Sequence, residues 1–177
     1  MEKEIIAYKA FFKGLVNNLD NINYEIGKIY TVDRPLQYTK SGFHMCKDPE
    51  DCFKFLKPSK AQVDLTLVKG FGNMYKIDAG EHSTDDRLGY VYICQKMEIL
   101  KVLTREEIID IGLNLLGYRL EKFIEEFPLT EEEALLFKEK FKNETDIRGN
   151  KTYPDLIDYY QNYHQKTLVK TKGGMYG

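Results

Sequence analysis

At 177 residues and 20.7 kDa, with 42% hydrophobic and 31% charged side chains, the chain can bury a core without disulfides or a structural metal, and its composition excludes a collagen-like, mucin-like or globally disordered polymer. Its 26 basic and 28 acidic residues leave a formal net charge of −2, and no basic run reaches even four residues, which argues against a nucleic-acid coat. Three cysteines form no even disulfide framework, the start MEKEIIAYKAFF is too charged for a signal peptide, and no apolar run approaches the roughly 20 residues that span a bilayer, so a reducing cytoplasm is the expected compartment.

Residues 1–104 read mainly as strand. Residues 5–12, rich in Ile, Tyr and Phe, have the length and composition of a buried strand. Gly14 opens an asparagine-rich loop. Gly27-Lys28 predicts a turn before the short strand at Ile29 to Val32, and Asp33-Arg34-Pro35 a further turn. Ser41-Gly42 precedes the apolar Phe43-His44-Met45-Cys46. Asp48-Pro49-Glu50-Asp51 predicts a helix start, with proline at the first helical position and acids at the positive end. Residues 62–68 form the next strand, and Gly70-Phe71-Gly72-Asn73 predicts a hairpin turn; its glycine spacing is wrong for a phosphate loop. Residues 78–86 read as a polar loop. Residues 90–103 form a long, bent or bulged strand whose Val91, Ile93, Met97 and Ile99 are expected to face the core.

The pattern turns helical at Thr104. Thr104-Arg-Glu-Glu107 is a capping box, followed by apolar residues at helical spacing from Ile108 to Phe127, with Gly112 and Gly117 marking close packing or a bend. Pro128 ends that helix and Thr130-Glu-Glu-Glu133 caps a second. Tyr153-Pro154-Asp155 opens a third, with Leu156, Tyr159, Tyr160 and Tyr163 expected inward. The fold class is therefore α+β: a mostly antiparallel sheet with one short helix, then a three-helix appendage over residues 105–165 packed on the sheet through Leu115, Leu116, Leu120 and Phe123. Residues 166–177 read as a flexible tail.

Tyr8-Lys9-Ala10-Phe11, then Tyr24 through Tyr30, then Ser41-Gly42-Phe43-His44-Met45-Cys46-Lys47-Asp48-Pro49-Glu50-Asp51-Cys52-Phe53, resembles an uncharacterised domain of tailed phages and their bacterial hosts, which shows YKAF, YEVGK and GFHxCxxPxDxF in that order. The resemblance covers residues 5–104 and implies no reaction. It implies a phage setting, and with it a host-cell location and a host target. A second similarity, to ADP-ribosyltransferase folds, rests on the early tyrosine strand, Gly42-Phe43-His44-Met45 and the D-P-E start. It implies NAD as cofactor and Tyr8, His44 and Glu98 as catalytic residues, although Cys46 stands in place of threonine and Glu98 lacks a Glu-x-Glu partner.

His44 and Cys46, two apart on a strand, point the same way and form a candidate metal pair, yet no Cys-x2-Cys accompanies them. A histidine bonded to backbone beside a cysteine serving as a small hydrophobe satisfies the same pattern. Cys46 or Cys52 activated by His44 is a candidate nucleophile, with Cys52 near a helix start. Glu81, His82, Asp85, Asp86 and Arg87 make a polar cluster suited to a loop tip, a contact surface or, with Asp85 or Glu81 facing a cleft, a general acid/base pair. Glu121, Glu125, Glu126, Glu131, Glu132 and Glu133 either favour helix starts or present negative charge to a basic groove, with Tyr159 and Tyr163 as anchors. No cofactor is expected on this reading, and the function is stoichiometric binding to a host protein as counter-defence. The partner would be a nucleic-acid-binding nuclease such as a CRISPR effector, with no sequence-specific nucleic-acid contact and no membrane.

Overall fold

The protein is described here as a computed structural model covering residues 3–17, 20–82 and 89–173, with side chains described at all of these except residue 82 and residues 168–173. It divides into a strand unit, Met1–Leu56 with Gln62–Leu103, and a helical unit, Lys57–Ala61 with Thr104–Gly177.

The strand unit holds β1 (Glu4–Phe12), β2 (Ile29–Thr31), β3 (Phe43–Cys46), β4 (Val63–Asp78) and β5 (Tyr90–Val102), all antiparallel where they pair, together with the short helix α1 (Cys52–Phe55). The order is β2-β5-β3-β1-β4, and β4 also pairs with β5, so β1, β4, β5 and β3 close a ring. Ala7, Phe11, Met45, Val68, Cys94, Met97 and Ile99 fill it. One joint of the ring is narrow: β1 and β3 pair only at Tyr8 and Cys46.

Two expectations for these strands are corrected. Gly70-Phe71-Gly72-Asn73 is no hairpin turn but the middle of a strand of 16 residues. Pairing with β5 shifts register between Phe71 and Met74, and Gly72 takes φ +80°, so the glycines accommodate a bulge instead of a reversal. Gly70 serves a different need. A Cβ there would lie 2.5 Å from Cys94 Sγ and 2.6 Å from Met45 Sδ, so only glycine lets both sulfur side chains close over the strand. In β5, Met97 and Ile99 enter the core as expected, but Cys94 and Tyr92 join them from the other parity, the switch falling level with the β4 bulge. Val91 and Ile93 are buried outside that cluster.

At the predicted start after Asp48, residues Pro49–Asp51 form one 3-10 turn before α1, and the Asp48 side chain makes no cap. Asp64 ties down the turn after β1: its carboxylate accepts from the backbone N–H of Gly14 at 2.7 Å and of Leu15 at 3.2 Å and pairs with Lys13 at 3.1 Å.

The helical unit has four helices among the described residues, not three: α2 (Arg105–Leu113), α3 (Gly117–Glu126), α4 (Glu131–Lys140) and α5 (Tyr153–Gly173). Both predicted capping boxes form, at Thr104 with Glu107 and at Thr130 with Glu133. The single helix expected after Thr104 breaks at Gly117, which takes φ +57°. Gly112 provides close packing, since a Cβ there would lie 2.5 Å from the Phe123 ring and 2.8 Å from Phe137. Phe127, Phe123, Phe137, Phe141 and Tyr153 form a continuous aromatic chain through this unit, with successive centroids 5.1, 5.7, 6.1 and 5.8 Å apart. α5 buries Tyr153, Ile157 and His164 along one stripe, with Leu156 beside it, while Tyr159 and Tyr163 stand about half exposed, opposite to the inward placement expected for them. The helix runs through Gly173, where a tail was expected from residue 166. Among the described residues no helix is long and apolar enough to cross a membrane.

Candidate functional site

The gap left by the narrow joint becomes a cavity. Beyond Tyr8 and Cys46, β1 and β3 no longer pair, and residues of the loops before β2 and between β2 and β3 line the opening. The cavity measures ≈ 840 Å³ and is lined by residues of β1 and β3, both loops and α1. It brings together Tyr8, His44, Cys46 and Cys52, as the sequence motifs suggested, and adds Lys9, Tyr24, Tyr30, Arg34 and Tyr38. Lys9 could have been suspected from sequence as the one charge on the apolar parity of β1, between Ala7 and Phe11.

The side chains differ in what they are able to do. Nε2 of His44 accepts the backbone N–H of Thr39 at 2.8 Å, so Nδ1 carries the proton and donates to the Gly42 carbonyl at 3.0 Å. Burial, with Lys9 nearby, lowers its pKa to about 4 against the Gly42 contact. The ring is thus a neutral brace in the loop, engaged at both nitrogens. Cys52 is buried, and that burial, followed by the neighbouring Cys46, pushes its thiol well above its ordinary value. The lowering expected from a helix start does not occur, because α1 is a single turn and the sulfur is out of water. Burial also raises Tyr8, with Asp48, Cys52 and Glu50 adding to it, and raises Tyr24 to about 12.

Lys9 reaches across the gap. Its Nζ donates to the His44 carbonyl at 2.9 Å and lies 5.5 Å from the centroid of the Phe11 ring. Burial lowers its pKa, with the sulfurs of Cys52 and Cys46 and then Asp20 pulling the other way. Glu98 is not among the cavity residues; on β5 it forms an ion pair with Lys69 at 3.2 Å. Among the described residues no three His, Cys, Asp or Glu side chains gather as metal ligands, His44 and Cys46 included. Asp85, Asp86, Arg87 and the His82 side chain fall outside the described residues.

The six glutamates of the helical unit separate into two groups. Glu121 accepts the backbone N–H of Ile147 at 2.7 Å. Glu126 is buried and takes the Lys57 ammonium at 2.7 Å, and Glu133 both closes its capping box and holds Arg105 through two contacts of 2.7 Å. Glu125 also has a partner. Glu131 and Glu132 are exposed on the first turn of α4, and the same helix leaves Leu135 64% and Leu136 56% exposed. Nothing in the sequence pattern singles out this aliphatic pair.

A family model described as Domain of unknown function (DUF7666) matches residues 5–111, more than half of the chain, and the chain belongs to that family. The match takes in the whole strand unit from Ile5 and most of α2. No curated protein and no solved structure matches.

Proposed function

We propose that this DUF7666 protein acts by stoichiometric binding of another protein through its helical unit, in a tailed phage, against a defence protein of the host cell. The observation that carries the binding half is the face of α4. Two adjacent leucines more than half exposed beside Glu131 and Glu132 combine desolvation energy with negative charge, and α5 adds the half-exposed rings of Tyr159 and Tyr163. A basic, nucleic-acid-binding surface such as that of a guided nuclease is the complementary partner. The phage setting rests on the resemblance of residues 5–104.

The structure narrows the charges to test. Reversing Glu126 or Glu133 would break internal contacts, whereas Glu132→Lys and Leu136→Asp alter only the exposed face. The tagged protein should retain one partner near 1:1 from host lysate. The double variant should lose it while melting as the wild type does, and salt should weaken binding, since the field shortens to about 8 Å near physiological ionic strength. Partner capture indifferent to both the variant and salt would refute the α4 surface.

A second reading, ADP-ribosyl transfer from NAD, draws on the cavity that holds Tyr8 and His44. The pairing of Glu98 on β5 with Lys69 on β4, outside the cavity, counts against it. Calorimetry decides: no heat of binding up to millimolar NAD, the weak end of the usual affinity scale, removes the reading.

A further inference from the structure

We propose that the cavity of the strand unit is a binding site for a nucleoside monophosphate, separate from the protein-binding face of α4. Its volume of ≈ 840 Å³ lies within the range of small-molecule sites, roughly 300–1,000 Å³. Its chemistry has two halves. The first is aromatic. Tyr24, Tyr30 and Tyr38 line it, and each ring is held before any ligand arrives. Tyr24 packs on Tyr30 with centroids 4.4 Å apart, the Tyr30 hydroxyl accepts the Glu25 N–H at 2.9 Å, and Tyr38 leans on His44 at 5.7 Å. Tyr24 is buried in the core and backs Tyr30, while Tyr30 and Tyr38, both part-exposed and fixed in this way, offer a stacking surface to a base at little entropic cost.

The second half is cationic. An ammonium has three N–H donors, and Lys9 uses one of them, on the His44 carbonyl. Its other contact is the Phe11 ring, and among the described residues no carboxylate lies within ion-pairing distance of it. A part-buried ammonium with one hydrogen bond and no ion-pair partner keeps donors unused, and Asp20, which also lines the cavity, acts on it only from beyond ion-pairing distance; an anion entering the cavity would take up those donors. Arg34 and Lys40, both exposed, stand at the wall to receive the same charge, against Asp20 and Asp33. A planar base for the tyrosines and a phosphate for Lys9 and Arg34 satisfy both halves, and the cavity is larger than phosphate alone requires.

The test is calorimetric titration of the full chain with adenosine 5′-monophosphate, adenosine and inorganic phosphate in parallel. The monophosphate should saturate, and both fragments should bind about tenfold or more weakly, the effect of losing one charge-assisted hydrogen bond. Lys9→Met, which keeps the stem, should weaken the monophosphate by a similar factor and leave adenosine unchanged. Arg34→Gln, at an exposed position, should weaken it several-fold with no change in melting temperature. Three results overturn the site: no saturation by the monophosphate, a fragment binding as tightly as the whole, or monophosphate affinity unmoved by the variants. If Lys9→Met fails to fold, Arg34→Gln alone decides, and unchanged affinity in it refutes the proposal. NAD turnover plays no part in any of these readouts.

Discussion

The backbone N–H of Thr39 donates to Nε2 of His44 at 2.8 Å, and the chain between them turns through two positive φ angles, +63° at Thr39 and +104° at Gly42. A β-branched residue at positive φ is strained. The imidazole holds it there, bonded to Thr39 through one nitrogen and to Gly42 through the other, and so fixes the loop that walls the cavity. His44 therefore braces this loop through both ring nitrogens.

That brace makes stability depend on acid. The folded ring titrates at about 4 against 6.5 ordinarily, so between those values the unfolded chain binds a proton that the native ring refuses. The contribution is complete above the unfolded value and is lost as pH falls toward the folded one. It amounts to about 2 kcal/mol after allowing for solvent screening of the part-buried ring. Buried His164, also lowered, acts in the same direction. Melting temperature should drop between about pH 7.5 and about pH 4.5, and His44→Gln, less stable at the upper value, should show a shallower drop; equal slopes would count against the assignment.

Thr39→Gly should raise stability by up to about 1 kcal/mol. It relieves the positive φ and keeps the N–H that His44 accepts, with part of the gain offset by the freedom of glycine in the unfolded chain. Urea midpoints measure this, and a clear loss would show that the threonine side chain has a role of its own.

Gly70→Ala and Gly112→Ala should each cost about 1–3 kcal/mol by overpacking. The new methyl would meet Cys94 and Met45 in the first case and Phe123 and Phe137 in the second, all at under 3 Å. Gly149→Ala, where a Cβ meets nothing within 4 Å, isolates the backbone effect, since its φ is +69°. Chemical denaturation of the three variants separates contact from conformation.

Thr104→Ala and Thr130→Ala should each remove about 1 kcal/mol. Each hydroxyl accepts the N–H three residues on at 3.2 Å. Serine at either position should restore most of the loss, which melting curves would show.

All three thiols should resist a disulfide reagent in the native protein and react once it unfolds. Cys46, Cys52 and Cys94 are buried, and burial raises Cys94 to about 12. Fast labelling of Cys52 in the native state would contradict the raised thiol described for it.

The elements that could be read from the sequence were those specified within a few residues. Strand β1, the start of β5, the two capping boxes and the change from strand to helix at Thr104 follow from local alternation, hydroxyls and acids at fixed spacing. Gly70–Asn73 misled for the same reason: glycines signal reversal locally, and only pairing with both β1 and β5 shows that the strand continues through them.

Composition and short-range pattern by themselves determined the α+β class, the helix caps and the motif carrying His44 and Cys46. Tertiary structure decided what those groups do. The glutamates at 121, 126 and 133 are acceptors for Ile147, Lys57 and Arg105, partners between 26 and 69 residues away in sequence, so no local reading could distinguish them from Glu131 and Glu132. Lys9 became a cation in a cavity only because β1 and β3 pair once, at Tyr8 and Cys46, and then diverge, leaving its Nζ to reach the His44 carbonyl 35 residues away. Local spacing encodes which backbone conformation a segment prefers. The solvation and partners of a charge are set by whichever distant segments close over it, and those are known only when the chain has folded.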